Sequence, residues 1–377
     1  ILESFQEATV ESGIPKIDDF NDGNNYGVSY FKVNQKSGFR WNTVKAFIKP
    51  IKNRKNLHII KKCEVNNLIL ENNKVIGVDV TRNGQLEKFF VNREVVLSAG
   101  SIGSPKILEL SGIGNNKVLS DLGIQTKINS VNVGENLQDH LQLRVIYKLE
   151  NAVTLNQKAN SLLGKIGIGL EYVLNRSGPM SMAPSQLGVF AMSDESYETP
   201  NLQFHVQPLS LDKFGDPLHD FPGLTASVCN LNPQSRGSVH INSKDPKLPP
   251  DIDPRYLSEE QDRIVAAQSI RLARKIITQP AMKKYNPKEY APGIKFQSDE
   301  ELKKVAGDIG TTIFHPVGTC AMGPSNSSVT DEELKVRGVE GLRIADASIM
   351  PSITSGNTNA PTLMIAEKAS EMILNSN

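Results

Sequence analysis

The run VVLSAGSIGSPKILELSGIG, residues 95–114, does most to limit the folds open to this chain. Its opening residues are apolar without alternation, the pattern of a strand covered on both faces, as in a parallel sheet. Small residues follow. A helical pattern then takes over, with Pro105 expected near its first turn. Upstream the texture is that of short paired strands. NLHII, VNNLILE, KVIGVDVT and EKFFVN read as strands, and Asn72-Asn73 and Asn83-Gly84 separate several of them as turns. The Asn-Gly pair is the stronger hairpin signal.

From about residue 142 to 310 the pattern changes to a mixture. SLLGKIGIGLEYVL and DRIVAAQSIRLARKII carry amphipathic helical spacing, whereas NLQFHVQPL, LTASVCNL and GSVHIN are strand-like. Pro-rich joints such as KLPPDIDPRY punctuate them, and the whole reads as an α+β domain. Beyond residue 323 come a strand with a turn, VEGLRIADASIMP, and a final helix, PTLMIAEKASEMIL. The opening ILESFQEATVESG reads as an amphipathic helix already under way. The first residue is Ile and no leader pattern precedes it, so an upstream part is expected.

Bulk properties exclude more than they select. A chain of 377 residues suggests roughly two domains. The net charge of +1 offers no electrostatic case for nucleic acid or an anionic membrane surface. Cys63, Cys229 and Cys320 lie far apart, with no CxxC pair, against a zinc site or a disulfide framework. No apolar run approaches the ~18 residues of a membrane span. Without targeting features, a cytoplasmic location is expected.

Three stretches together resemble the glucose-methanol-choline (GMC) family of flavin oxidoreductases. They are residues 95–114, FHPVGTCAMG at 314–323, and GLRIADASIMPSITSGNTNAPTLMIAEKASEMI at 341–373. VGENLQDHL (133–141) and SRGSVHINSKDP (235–246) match as well, so the likeness runs along nearly the whole chain. The flavour is that of the bacterial choline-dehydrogenase-like branch. The resemblance implies an α/β plus α+β architecture: an FAD-binding Rossmann-like domain interleaved with an antiparallel-sheet substrate domain. It also implies bound FAD and oxidation of an alcohol. The usual GMC chain begins with a strand-loop-helix carrying GxGxxG, which does not occur in this sequence. The Rossmann-like domain is thus expected to lack its first βαβ unit, in an upstream part on the order of 150 residues. The expected division places FAD-binding segments at 1–141 and 323–377 and the substrate domain at 142–322.

The likeness assigns roles to particular residues. Alcohol oxidation by flavin removes the hydroxyl proton as hydride leaves carbon for flavin N5, and a neutral imidazole suits the first task. By the family match that imidazole is His315. Pro316 restricts its backbone to extended or turn conformations. Asn357 matches the position of a second histidine or an asparagine, whose amide donates to the substrate oxygen. Thr358, Asn359 and Ala360 would lie at the start of the last helix, whose free amides face the flavin edge where reduced flavin carries its charge. Asp346 and Ala347 match the approach to the flavin pyrophosphate and ribityl chain, and Val65 a backbone contact to adenine. His219 is a candidate for the pocket. His58, His140, His205 and His240 read as structural, and Cys320 as a small packing residue.

One departure bears on substrate. Choline-oxidising members carry a Glu ahead of a G-[VIG]-F stretch, and Gln186 stands at the matching place in Pro184–Phe190. A neutral amide does not balance a quaternary ammonium, so a neutral primary alcohol is expected rather than choline. The electron acceptor is not legible. Three other readings stay open: a choline dehydrogenase; a flavin-containing hydroxynitrile lyase, which uses the histidine region for acid–base cleavage without redox; and a truncated, non-catalytic chain. A serine hydrolase is set aside because no GxSxG elbow occurs.

Overall fold

A computed structural model describes residues 1–376, and the chain divides into two compact units. The first comprises Ile1–His58, Leu141–Leu231 and Glu260–Thr311. The second comprises Ile59–His140, Asn232–Glu259 and Thr312–Asn377. The interleaving is finer than 1–141, 142–322 and 323–377. The first 58 residues group with the middle of the chain. The segment bearing His315 groups with the C-terminal part. The cause is pairing: Gly27–Tyr30 hydrogen-bonds to Leu187–Ala191, which a linear division separates.

The first unit is built on a seven-stranded antiparallel sheet. Its strands are β1 (Gly27–Tyr30), β2 (Leu141–Lys148), β3 (Leu187–Ala191), β4 (Leu202–Gln207), β5 (Gly223–Asn230), β6 (Lys288–Ala291) and β7 (Gly310–Thr312). They lie in the order β1-β3-β4-β5-β2-β6, with β7 also beside β2. Side chains alternate in direction along each strand. Leu143, Val145 and Tyr147 of β2 thus share a face with Leu224, Ala226 and Val228 of β5 and with Leu202, Phe204 and Val206 of β4. Helix α1 (Leu2–Glu11) packs against α2 (Glu260–Ile277), and α2 packs on β5 and β2. The α2 side is fixed by Arg274, which pairs with Glu289 at 2.8 Å, Glu289 being the cross-strand neighbour of Tyr147. The opposite face carries Gln142, Arg144, Gln203, His205, Gln207, Thr225 and Ser227, and it too is buried.

In the second unit Val95–Leu97 pairs in parallel with Leu342–Ile344 and leads into the helix Gly100–Leu110. Leu97 is buried, but Val96 is 38% exposed, so the strand is not covered on both faces as its apolar run suggested. Among the described residues it has one paired neighbour. Pro105 falls in the sixth helical position rather than the first turn. Proline lacks the N–H that would reach the carbonyl of Ser101, and that carbonyl accepts from Thr319 Oγ1 at 2.7 Å instead.

The meander Cys63–Glu71, Lys74–Arg82, Gln85–Phe90 turns at Asn72-Asn73 (φ 47° and 62°) and Asn83-Gly84 (φ 51° and 82°), as the sequence predicts. NLHII forms no strand.

A partly buried cluster of His240, Glu109 and Glu135 ties this unit together. His240 Nδ1 lies 2.7 Å from Glu109 Oε1 and Nε2 lies 3.1 Å from Glu135 Oε1, while Glu109 Oε2 accepts from the Ile241 amide at 2.8 Å. Glu109 is fully buried. The hydrogen bond to Glu109, the largest cause, raises the His240 pKa above the ordinary 6.5. A group with a raised folded-state pKa adds stability below its unfolded pKa and loses it as pH rises through the folded value. We therefore expect stability in urea to fall as pH is raised from about 6 towards 9, and His240→Gln to flatten that dependence. An unchanged slope in His240→Gln would rule out this cluster as its source.

Candidate active site

The loop around His315 is held from two sides. Val317 and Gln138 exchange backbone hydrogen bonds of 2.9 and 3.1 Å, which aligns the loop with Asn136–His140. On the other side the amides of Gly318, Cys320 and Met322 donate to the carbonyls of Ala347, Ser348 and Ile349. Gly318 is required: its φ is +93°, and a Cβ there would lie 2.4 Å from the Asn136 carbonyl oxygen. Phe314 adopts φ 63°, a left-handed conformation uncommon outside glycine and found at functional sites. Its amide is held by Thr312 Oγ1 at 2.8 Å.

Asp139 is the centre of this arrangement. Its Oδ1 accepts from the backbone amides of His140 and His315, both at 2.9 Å. Its Oδ2 accepts from Thr312 Oγ1 at 2.5 Å and from the Tyr256 hydroxyl. Burial, the largest cause, and the Asp139 charge push the Tyr256 pKa far up, so its hydroxyl stays protonated and donates.

The imidazole of His315 lies between two partners. Its Nδ1 is 3.1 Å from Nδ1 of His140, and its Nε2 is 3.3 Å from Nδ2 of Asn357. An amide nitrogen only donates, so Nε2 of His315 carries the lone pair and Nδ1 the proton. His140 Nδ1 then accepts. Burial, the largest cause, lowers the His315 pKa below 6.5, against an opposing effect of Asp139. The ring is neutral at pH 7, with its basic nitrogen beside the amide of Asn357.

Thr358, Asn359 and Ala360 follow directly, at the start of the helix Asn359–Asn375. That helix start has no side-chain cap and no acidic residue in its first turn. Nearby Thr354 Oγ1 is buried without a hydrogen-bond partner among the described residues. Uncapped amides, a spare hydroxyl and a first turn free of acidic residues fit a group that gathers negative charge at one edge, as reduced flavin does. The Asp346 carboxylate is engaged within the protein. Its Oδ2 accepts from the Gly100 amide (2.9 Å) and Ser104 Oγ (2.6 Å), and its Oδ1 from the Ser348 amide (2.8 Å). With the adjoining Ala347, only backbone is left to meet a cofactor there.

Family models described as GMC oxidoreductase match residues 2–142 and 233–366. The chain belongs to the GMC oxidoreductase family. An alcohol dehydrogenase [acceptor] of Pseudomonas putida is 37% identical over 99% of this chain and 68% of its own length. An oxygen-dependent choline dehydrogenase of Photobacterium profundum is 36% identical over 99% of this chain and 66% of its own length. The chain thus spans about two thirds of these relatives. The pyridoxine 4-oxidase of Mesorbium loti superposes with a TM-score of 0.88 at 27% identity, over 100% of this chain and 70% of that one. GMC membership carries with it FAD as the cofactor and CH–OH donors as the reaction class.

Other residues singled out from the sequence sit on other elements. Val65 sits in the Cys63–Glu71 strand, next to an irregularity in its pairing. Gln186 and His219 belong to the first unit. The carbonyl of Gln186 accepts from the Phe31 amide at 2.8 Å. His219 is braced by Ser210 Oγ (3.0 Å) and Asp212 Oδ1 (3.1 Å) and stacks on Phe221. The sequence marks His140 only as structural and does not single out Asp139, Thr312 or Tyr256. The pair Asp139-His140 directly ahead of a strand is the available signal, but nothing in its spacing links it to His315. Among the described residues, no helix is long and apolar enough to cross a membrane, and no His/Cys/Asp/Glu group could hold a metal.

Proposed function

We propose that this protein oxidises a primary alcohol to its aldehyde, with His315 as the base that takes the hydroxyl proton. The observation that carries this is the neutral His315, whose lone pair on Nε2 lies 3.3 Å from the Asn357 amide. A substrate hydroxyl that replaces this direct contact donates its proton to Nε2 while its oxygen accepts from Asn357 Nδ2. Charge developing on that oxygen is then stabilised by the amide. His140 accepts from Nδ1 and keeps the ring in the basic tautomer, and Asp139 fixes the loop through the His315 amide. When bound, FAD supplies the acceptor for the hydride that leaves the carbinol carbon. Thr358, Asn359 and Ala360 would hold it at the helix start, with Asp346, Ala347 and Val65 as further contacts.

The test uses the complete reading frame purified with its flavin. Anaerobic addition of primary alcohols is expected to bleach the flavin absorbance. Because the base must be neutral and its pKa is lowered, kcat/KM should stay level from about pH 8 down through 6.5 and fall only below that. A flavin that dithionite reduces but no alcohol does would reject the reading, and cyanide release from a cyanohydrin would replace it with a lyase.

A further inference from the structure

The helix Leu162–Asn175 belongs to the first unit and buries none of its 14 residues. Its sequence, LLGKIGIGLEYVLN, has the apolar spacing of a helix that covers a core. Leu162, Leu163, Ile166, Leu170, Val173 and Leu174 are instead exposed, Leu163 at 82% and Leu174 at 75%. At about 100° per residue these side chains fall within one arc of about 120°. Lys165 and Glu171 lie outside that arc. The stripe that packs is a different one, Gly164, Ile168 and Tyr172, each half-buried. Gly164 sets this seating, because a Cβ there would lie 2.0 Å from the Lys158 carbonyl oxygen. The apolar face is turned to solvent, where contiguous apolar patches mark an interaction surface.

A basic segment of the same unit adjoins this face. The stretch KVNQKSGFRWNTVKAFIKPIKNRKNL, residues 32–57, carries eight Lys and Arg and no Asp or Glu, whereas the whole chain carries only +1. The near-neutral total hides a segregated charge. Among the described residues one of the eight, Lys32, has an ion pair, with Asp19. Val44 and Phe47 stand exposed among these cations, in the turns Val44–Ile48 and Lys49–Ile51. Packing joins the segment to the helix. The Arg176 guanidinium lies 4.9 Å from the Phe39 ring and 5.1 Å from the Tyr172 ring, and Lys45 Nζ lies 5.3 Å from Phe39. Phe39 and Tyr172 meet edge-on, with centroids 6.3 Å apart.

We propose that this surface of the first unit docks on an anionic lipid bilayer. The helix lies in the plane of the interface with its leucine face among the acyl chains, and the 32–57 segment rests against the headgroups. An apolar stripe bordered by cations matches a surface that is negative at the top and apolar beneath. The apolar face alone would suit a protein partner, and the basic segment alone a nucleic acid. Their junction through Phe39, Tyr172 and Arg176 favours the bilayer, which offers both chemistries at once. A helix of 14 residues is about 21 Å long, too short to span but ample to lie flat. The surface is independent of the oxidation chemistry at His315.

The experiment floats the complete, flavin-loaded protein with phosphatidylcholine vesicles, with or without roughly a third phosphatidylglycerol. Binding is expected to the anionic vesicles, to be at least about tenfold weaker on the neutral ones, and to weaken as salt is raised. Leu163→Ser with Leu174→Ser should lower partitioning by about 10- to 100-fold, the effect of leaving two leucine side chains in water. Lys49→Gln with Lys52→Gln should lower it by roughly 10- to 30-fold on anionic vesicles alone. All four side chains are exposed, so unfolding midpoints should match the parent. In Leu163→Cys a water-soluble maleimide should label residue 163 in the free protein, and anionic vesicles should protect it. A thiol protected before vesicles are added would show that protein covers the face and would overturn the proposal. So would a parent that ignores anionic vesicles, or a leucine variant that binds them equally well. Capture of a DNA duplex in place of vesicles would reassign the basic segment to nucleic acid and overturn it as well.

Discussion

Replacement of His315 by Gln is expected to lower kcat/KM for alcohol oxidation by about 1,000-fold, within the usual range for losing a positioned general base. Gln occupies a similar volume and can hydrogen-bond to His140, but it has no lone pair able to take a proton at neutral pH. The loop should survive, because Asp139 grips the backbone amide of residue 315 and not its side chain. The flavin should stay bound and be reduced by dithionite as in the parent. Anaerobic stopped-flow bleaching with saturating alcohol reads the loss directly. A fall of less than tenfold would remove His315 from the role of base and shift attention to His140, its partner at 3.1 Å.

The largest expected effect on stability is at Arg343. This side chain is 2% exposed. Its Nε donates to Glu94 (2.8 Å), Nη1 to the Glu333 carbonyl (2.6 Å) and Nη2 to Ser376 Oγ (2.8 Å). It therefore joins the approach to the Val95–Leu97 strand, the 333 turn and the end of the last helix. Arg343→Met leaves Glu94 without its cation and two acceptors without donors. Breaking a buried pair from one side costs about 3–5 kcal/mol. Equilibrium unfolding in urea should show that loss as a lower midpoint. Adding Glu94→Leu should restore part of it, since an apolar pair avoids the desolvation cost of the ion pair. If the double variant is as unstable as the sum of the two singles, the pairing account is wrong.

Features governed by local rules are legible in the residues themselves. Asn83-Gly84 turns because both central residues must take positive φ, which Asn and Gly tolerate. Gly223–Asn230 and Leu202–Gln207 alternate apolar with polar residues, and a strand period of two can be read from one segment. Gly318 beside His315 needs positive φ, and only glycine permits the neighbouring chain to approach so closely. The pairing of His315 with Asn357 is reached differently, through motifs, since 42 residues separate them.

Where sequence and fold disagree, one cause is shared. A local pattern puts Pro105 in a first turn because it cannot show that Thr319 takes up the carbonyl the proline strands. Val96 looks buried in its apolar run, which does not report the neighbours that cover it. His140 looks like any other buried histidine until its partner, 175 positions away, is known.

For this protein the sequence alone determined turns, strand and helix periods, the family and the candidate base. Those depend on residue type and short spacing. Tertiary structure alone decided the tautomer of His315, the Asp139 hub and the Glu109–His240–Glu135 cluster. Each is a matter of which polar groups meet and which stay unsatisfied. That is set by sheet register and chain crossing between distant segments, and no local pattern encodes it.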